Sequence, residues 1–145
     1  MGNETERKIN DLLNSLLEAE RAGVQVISEM LKLLPENDEL SKKLNSFLLD
    51  EGLNCRIIKI LIEKTGFTPS NQTGGFVEKM NRLNLFSEKI TLLIKGQQWV
   101  AKQIEENLHA FAEGSLKFFL KAIAEQHTEN VSVLKDYISH TLYGK

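Results

Sequence analysis

Glu20, Glu51, Gln97 and His127 stand where four amphipathic patterns would ordinarily carry Leu or Ile. Each fills a gap in an apolar stripe. Glu20 lies four residues after Leu16 and seven before Ile27, Gln97 falls between Leu93 and Val100, and His127 follows Ile123 by four. Glu51 interrupts the second stripe within "LLDEGLNCRI", residues 48–57. Asn54 follows Glu51 by three and Asn130 follows His127 by three, spacings that put each pair on one helix face. Two carboxylates and an imidazole gathered in a dry core are a donor set for a divalent cation, and mixed oxygen and imidazole ligation suits iron, manganese or zinc. Without a cation, the two glutamates cannot both stay charged unless a shared proton or a protonated His127 compensates them. Two alternatives to a metal therefore stand beside it. One is a purely structural network that fixes helix register, with the amides filling leftover hydrogen bonds. The other is a core cavity for a small hydrophobic or cationic ligand.

Depth along the chain brings these residues level. A first hairpin turning near Glu36 leaves Glu20 and Glu51 16 and 15 residues from the turn. A second, turning near Ala112, leaves Gln97 and His127 15 residues from it. Antiparallel arms of equal length place each pair at one height. Gly23, Gly52 and Gly96 stand beside or one turn from these residues, and glycine inside a helix costs about 1 kcal/mol relative to alanine. Close helix approach, or room for a bound species, is the expected compensation. The amides of Asn54 and Asn130 suit orienting the carboxylates better than binding metal, and Gln97 suits either role. Cys55, Trp99 and Phe111 read as packing, and Glu18 and Glu125 as solvated. His109 and His140 lie too far along their helices, by 12 and 13 residues, to join the group.

The elements that must hold this constellation are four long helices. The first runs from about Glu4 to Leu33, with Ile9, Leu13, Leu16, Gly23, Ile27, Met30 and Leu34 on its seam. Pro35 ends it, and Asn37 or Asp38 can cap the second, which carries Leu40, Leu44, Phe47, Leu48, Cys55, Ile58 and Ile62 and stops near Gly66. The third shows Leu83, Phe86, Ile90, Leu93, Val100, Ile104 and Leu108. The fourth shows Leu116, Leu120, Ile123, Val131, Leu134 and Ile138. Such seams build an antiparallel bundle. Between the second and third helices lies "GFTPSNQTGGFVEKMN", residues 66–81. A second helix of 28 residues is about 42 Å long, and this segment, mostly extended, reaches about 50 Å. The chain can thus return along the whole bundle and start the third helix parallel to the second.

The stretches "LLEAERAG", "LDEGLNC", "IKGQQWV" and "AEQHTENV" resemble those of the ferritin-like di-iron and di-manganese carboxylate proteins, over about residues 9–140, and look most like a small bacterial branch of them. The resemblance implies an all-α fold, a ferritin-like antiparallel four-helix bundle with a crossover between helices two and three. It also implies a central metal site with Glu on helix one, Glu-x-x-His on helix two, Glu on helix three and Glu-x-x-His on helix four. Position by position, Glu20 matches the first Glu and Glu51 the second. Asn54 stands for the first His, Gln97 for the third Glu, His127 for the fourth Glu and Asn130 for the second His. Two carboxylates do not suffice to bridge two metals and balance their charge. The expected occupant is one divalent ion on Glu20, Glu51 and His127, with Asn54, Gln97, Asn130 or water completing its surroundings.

The bulk numbers agree with one domain over 1–145. At 145 residues the chain can bury a real core, and 41% hydrophobic with 26% charged residues and only 2 Pro suits a helix-rich globule. A net charge of −2, with basic and acidic residues interspersed, argues against a nucleic-acid partner. No apolar run approaches the ~18 residues of a membrane span, and "MGNETERKIN" is too charged for a signal peptide. A single cysteine makes a reducing cytoplasm the expected location. Leu49, Leu53, Ile57 and Ile60 form a second apolar stripe on helix two, and adjacent Phe118 and Phe119 cannot both face one core. A homodimer is the expectation from these two features. No reaction or substrate is written in these residues.

Overall fold

The structure, a computed structural model, describes residues 4–142. Residues 1–3 and 143–145, the ends of the domain read over 1–145, lie outside the described residues. Among the described residues the fold is all-helical, with no strand. Four long helices are α1 (Glu4–Leu31), α2 (Glu39–Lys64), α4 (Phe86–Asn107) and α5 (Ser115–Tyr137), and a short α3 (Phe76–Asn81) precedes α4. A 3₁₀ turn, Leu108–Ala110, follows α4, and a π turn, Ile138–Leu142, follows α5.

The boundaries follow local chemistry. Asp38 caps α2, its Oδ1 accepting from the Leu40 N–H at 2.8 Å, while the Ser41 hydroxyl donates to the Pro35 carbonyl at 2.8 Å. Gly66, at φ +83°, reverses the chain just beyond α2, a conformation glycine adopts at no steric cost. Two expectations need correction. The first helix stops at Leu31, because residues 32–34 are drawn into the turn before Pro35. The segment after α2 is not extended throughout, since Phe76–Asn81 coil into α3 to bury Met80, and α4 then begins at Phe86 rather than Leu83.

Two apolar clusters fill the interior, and their membership gives the direction of each helix. At one end Leu13 and Leu16 of α1 meet Ile58 and Ile62 of α2, Val100 and Ile104 of α4, and Leu120 and Ile123 of α5. At the other, Val26 and Met30 of α1 meet Leu40 and Leu44 of α2, Ile90 and Leu93 of α4, and Val131 and Leu134 of α5. Each cluster thus combines the early part of α1 with the late part of α2, or the reverse. Hence α1 and α2 form one antiparallel hairpin and α4 and α5 another, with α2 and α4 pointing the same way. Residues 65–85 carry the chain back along the bundle between them.

That returning strap is fastened to α1. The Arg21 guanidinium donates from Nη1 to the carbonyls of Ser70 (3.0 Å) and Gln72 (2.6 Å). Asn14 Oδ1 accepts from the Ser70 N–H at 2.7 Å, and the Ser70 hydroxyl donates to Glu18 Oε2 at 2.5 Å. The Gly74 N–H reaches the Glu18 carbonyl at 3.4 Å. Glu18 is therefore half-buried and engaged rather than solvated, because the strap covers it. Phe111 is buried packing as expected, whereas Trp99 is 43% exposed. The second stripe of α2 faces outward, with Leu49 75%, Leu53 55% and Ile60 51% exposed and Ile57 half-buried. Phe118 is exposed while Phe119 packs on the core. No helix among the described residues is long and apolar enough to cross a membrane.

Candidate metal centre

The two apolar clusters are separated by a polar layer. Glu20, Glu51, Asn54, Gln97, His127 and Asn130 are each at most 5% exposed. They come from all four long helices, as the equal hairpin arms require, and lie at one level, where hydrogen bonds join Asn54 to Glu20 in one half and Asn130 through Gln97 to Glu51 in the other. Glu20 of α1 and His127 of α5 meet with Oε1 and Nε2 2.6 Å apart. The Asn54 amide of α2 donates to Glu20 Oε2 at 3.1 Å and also to Gln126 Oε1 at 2.9 Å. The Gln97 amide of α4 donates to Glu51 Oε2 at 2.9 Å, and Asn130 of α5 donates to Gln97 Oε1 at 3.1 Å.

These bonds define the roles of the amides. Asn54 orients one carboxylate and Gln97 the other. Asn130 acts one step removed, holding Gln97 rather than a carboxylate, because its spacing from His127 aims it across at α4. Gln126 is a member that the sequence reading missed. It sits beside the α5 seam, half-buried, and only its neighbour's position on that seam hints at its contact with Asn54.

The imidazole is oriented from behind. His127 Nδ1 lies 2.9 Å from the Ile123 carbonyl, which can only accept, so Nδ1 carries a proton and Nε2 faces the carboxylates. This is the arrangement in which a histidine offers Nε2 to a cation, or donates from it when protonated. Glu20 Oε1 and His127 Nε2 are buried against each other at ion-pair distance, and neither has another hydrogen-bond partner. Nor does Glu51 Oε1 accept a hydrogen bond from any described residue.

Electrostatics follow from burial. Taking the Glu51 carboxyl out of water, with the charge of Glu20 beside it, raises its pKa from 4.5 to about 8, against the opposing pull of His127 and Gln97. For His127, burial alone would lower the pKa. The Glu20 carboxylate, with Glu51 and the Ile123 carbonyl, outweighs that and holds it up at about 9. Burial first, and the nearby Glu20 second, push the Cys55 thiol up to about 12, so it stays a protonated, unreactive packing group.

Glu20, Glu51 and His127 each offer a donor atom within 4.8 Å of the other two, and this buried group could hold a metal ion. The donors fit the chemistry of a divalent cation: two hard oxygens, one imidazole with its far nitrogen fixed, and a Glu51 Oε1 that accepts no hydrogen bond from the described residues. The 2.6 Å between Glu20 and His127 is a hydrogen-bond length, so a shared cation would draw the two apart. Two of the three glycines noted in the sequence have local reasons. A Cβ on Gly23 would collide with Glu51 Oε1, and one on Gly96 would press the Phe76 ring at 2.9 Å. Gly52 faces open space, and nothing in the structure explains it.

The fold and the layer together define an all-α protein built around a buried acid–imidazole centre. The chain belongs to the family of the domain of unknown function DUF6306, which it matches over residues 7–136, a span that includes every residue of the layer. No curated protein and no solved structure matches it.

Proposed function

We propose that this chain is a ferritin-like bundle that holds one divalent cation on Glu20, Glu51 and His127, with a metal-handling or redox role of the kind such a centre supports. The observation that carries the reading is the convergence of two carboxylates and an imidazole, from three helices, with donor atoms within 4.8 Å of one another. Asn54 and Gln97 hold the carboxylates by their other oxygens, which leaves one oxygen of each free to bind. The ferritin-like assignment is supported by the parallel course of α2 and α4 with a strap between them. A homodimer joined through the outer stripe of α2, and a cytoplasmic location suited to the single Cys55, complete the proposal.

A second reading is favoured by the Glu20–His127 distance, which suits an ion pair closed on itself. In that reading the layer is structural and binds nothing. Elemental analysis of untagged protein separates the two. The metal reading expects near-stoichiometric iron, manganese or zinc in the parent and its loss in Glu51→Gln and His127→Ala. The structural reading expects none in the parent. It also expects Glu51→Gln to be neutral or stabilising, since it removes a buried ionisable group.

A further inference from the structure

Beneath the strap, between α1 and α4, lies a cavity of about 560 Å³ whose lining includes Glu51 and Gln97 of the polar layer. Its size falls within the roughly 300–1,000 Å³ typical of small-molecule sites. Three features give it a chemical polarity. Its inner end holds Glu51, whose Oε1 has no hydrogen-bond partner among the described residues, so a ligand hydroxyl, which can accept from the carboxyl or donate to the carboxylate, finds a partner there. Its walls are apolar and partly aromatic, with Phe76, Leu92 and Trp99 among them. Its outer end holds Lys79 and Lys95, which also line an adjoining surface depression and so flank the mouth.

Neither lysine has an ion-pair partner among the described residues. The carboxylates nearby, Glu18 and Glu88, accept hydrogen bonds from the Ser70 hydroxyl and the Leu85 N–H and form no ion pair with either lysine. The mouth therefore presents two lysines free of ion pairs, and the inner end presents a carboxyl oxygen without a hydrogen-bond partner among the described residues.

We infer that this cavity binds a small organic acid with a hydroxylated apolar body: its carboxylate at Lys79 and Lys95, its ring or chain against Phe76, Leu92 and Trp99, and its hydroxyl hydrogen-bonded to Glu51. The inference rests on the metal reading in one respect only, that a cation on Glu51 would share the inner end with the ligand. The remainder needs no metal.

Trp99 is the only tryptophan in the chain and lines the cavity, so its emission reports occupancy. The probe is para-hydroxyphenylacetate, titrated against phenylacetate, which lacks the hydroxyl, and tyrosol, which lacks the carboxylate. The expected result is a saturable change in Trp99 emission at one site per chain. Each analogue should bind about tenfold more weakly or worse, the loss of one well-placed polar contact. Lys79→Gln with Lys95→Gln, both at exposed positions, should weaken the acid by a similar factor and leave tyrosol unchanged. Absence of saturable change, equal binding of all three probes, or an acid affinity indifferent to the lysine pair would each overturn the inference. Metal content measured on the same sample keeps the two ideas apart. Metal without probe binding sinks this inference alone, and probe binding without metal sinks the metal reading alone.

Discussion

Gly23 of α1 and Glu51 of α2 share one volume: the Glu51 carboxylate occupies the space that a side chain at position 23 would need. The pairing explains how a carboxylate from one helix reaches the bundle axis past the backbone of another. Alanine in place of a helical glycine normally stabilises by up to about 1 kcal/mol. Here Gly23→Ala should gain none of that, and should destabilise by up to about 1 kcal/mol, because the Glu51 carboxyl must swing off its hydrogen bond with Gln97 to admit the methyl group. It should also lower bound metal by swinging Glu51 away. Denaturant unfolding and elemental analysis together check this, and a more stable Gly23→Ala protein with unchanged metal content would refute it.

Stability in the metal-free protein should fall as pH rises, against the common trend. A group that holds its proton more tightly when folded stabilises the fold only while protonated. Glu51 is raised from 4.5 to about 8, so its contribution is complete below pH 4.5 and is lost as pH climbs through about 8. His127 is raised from 6.5 to about 9, so its contribution is complete below pH 6.5 and gone above about 9. Thermal unfolding in the presence of a chelator should show the midpoint dropping across this span. Glu51→Gln should lose the lower part of the slope. Saturating metal should flatten or reverse it, since the cation replaces the protons. A midpoint that rises steadily over the same span would rule the assignment out.

Much of this was legible from residue order. Glu20, Glu51, Gln97 and His127 could be read because each broke a regular apolar seam, Asn54 and Asn130 because each follows one of them by three, and the common height because both hairpins have matched arms around Glu36 and Ala112. What could not be read came from tertiary cover. Glu18 looked solvated because nothing local says that the strap will lie over it, and Gln126 was missed because its partner, Asn54, is 72 residues away. The helix over Phe76–Asn81 escaped notice because six residues are too few to show a period, and it forms to bury Met80 and to set Phe76 against Gly96. Trp99, read as packing, is 43% exposed because it stands at the rim of a cavity.

The outward stripe of α2 predicts self-association. Leu49 and Leu53 are one helical turn apart and more than half exposed, a surface that isolated soluble chains seldom leave in water. Leu49→Glu combined with Leu53→Glu should halve the mass found by light scattering and leave helical content intact. A parent protein that is already monomeric at working concentration would refute the dimer.

The fastening of the strap has an evolutionary consequence. Of the five hydrogen bonds that tie it to Asn14, Glu18 and Arg21, four end on its main-chain atoms and only one on a side chain, the Ser70 hydroxyl. Main-chain atoms survive mutation, so the route of this segment is dictated by α1 while its residues other than packed ones such as Phe76 and Met80 are free to drift. Kindred chains can therefore re-tile the roof of the chamber, and with it the guests admitted, without redrawing the path that the roof follows.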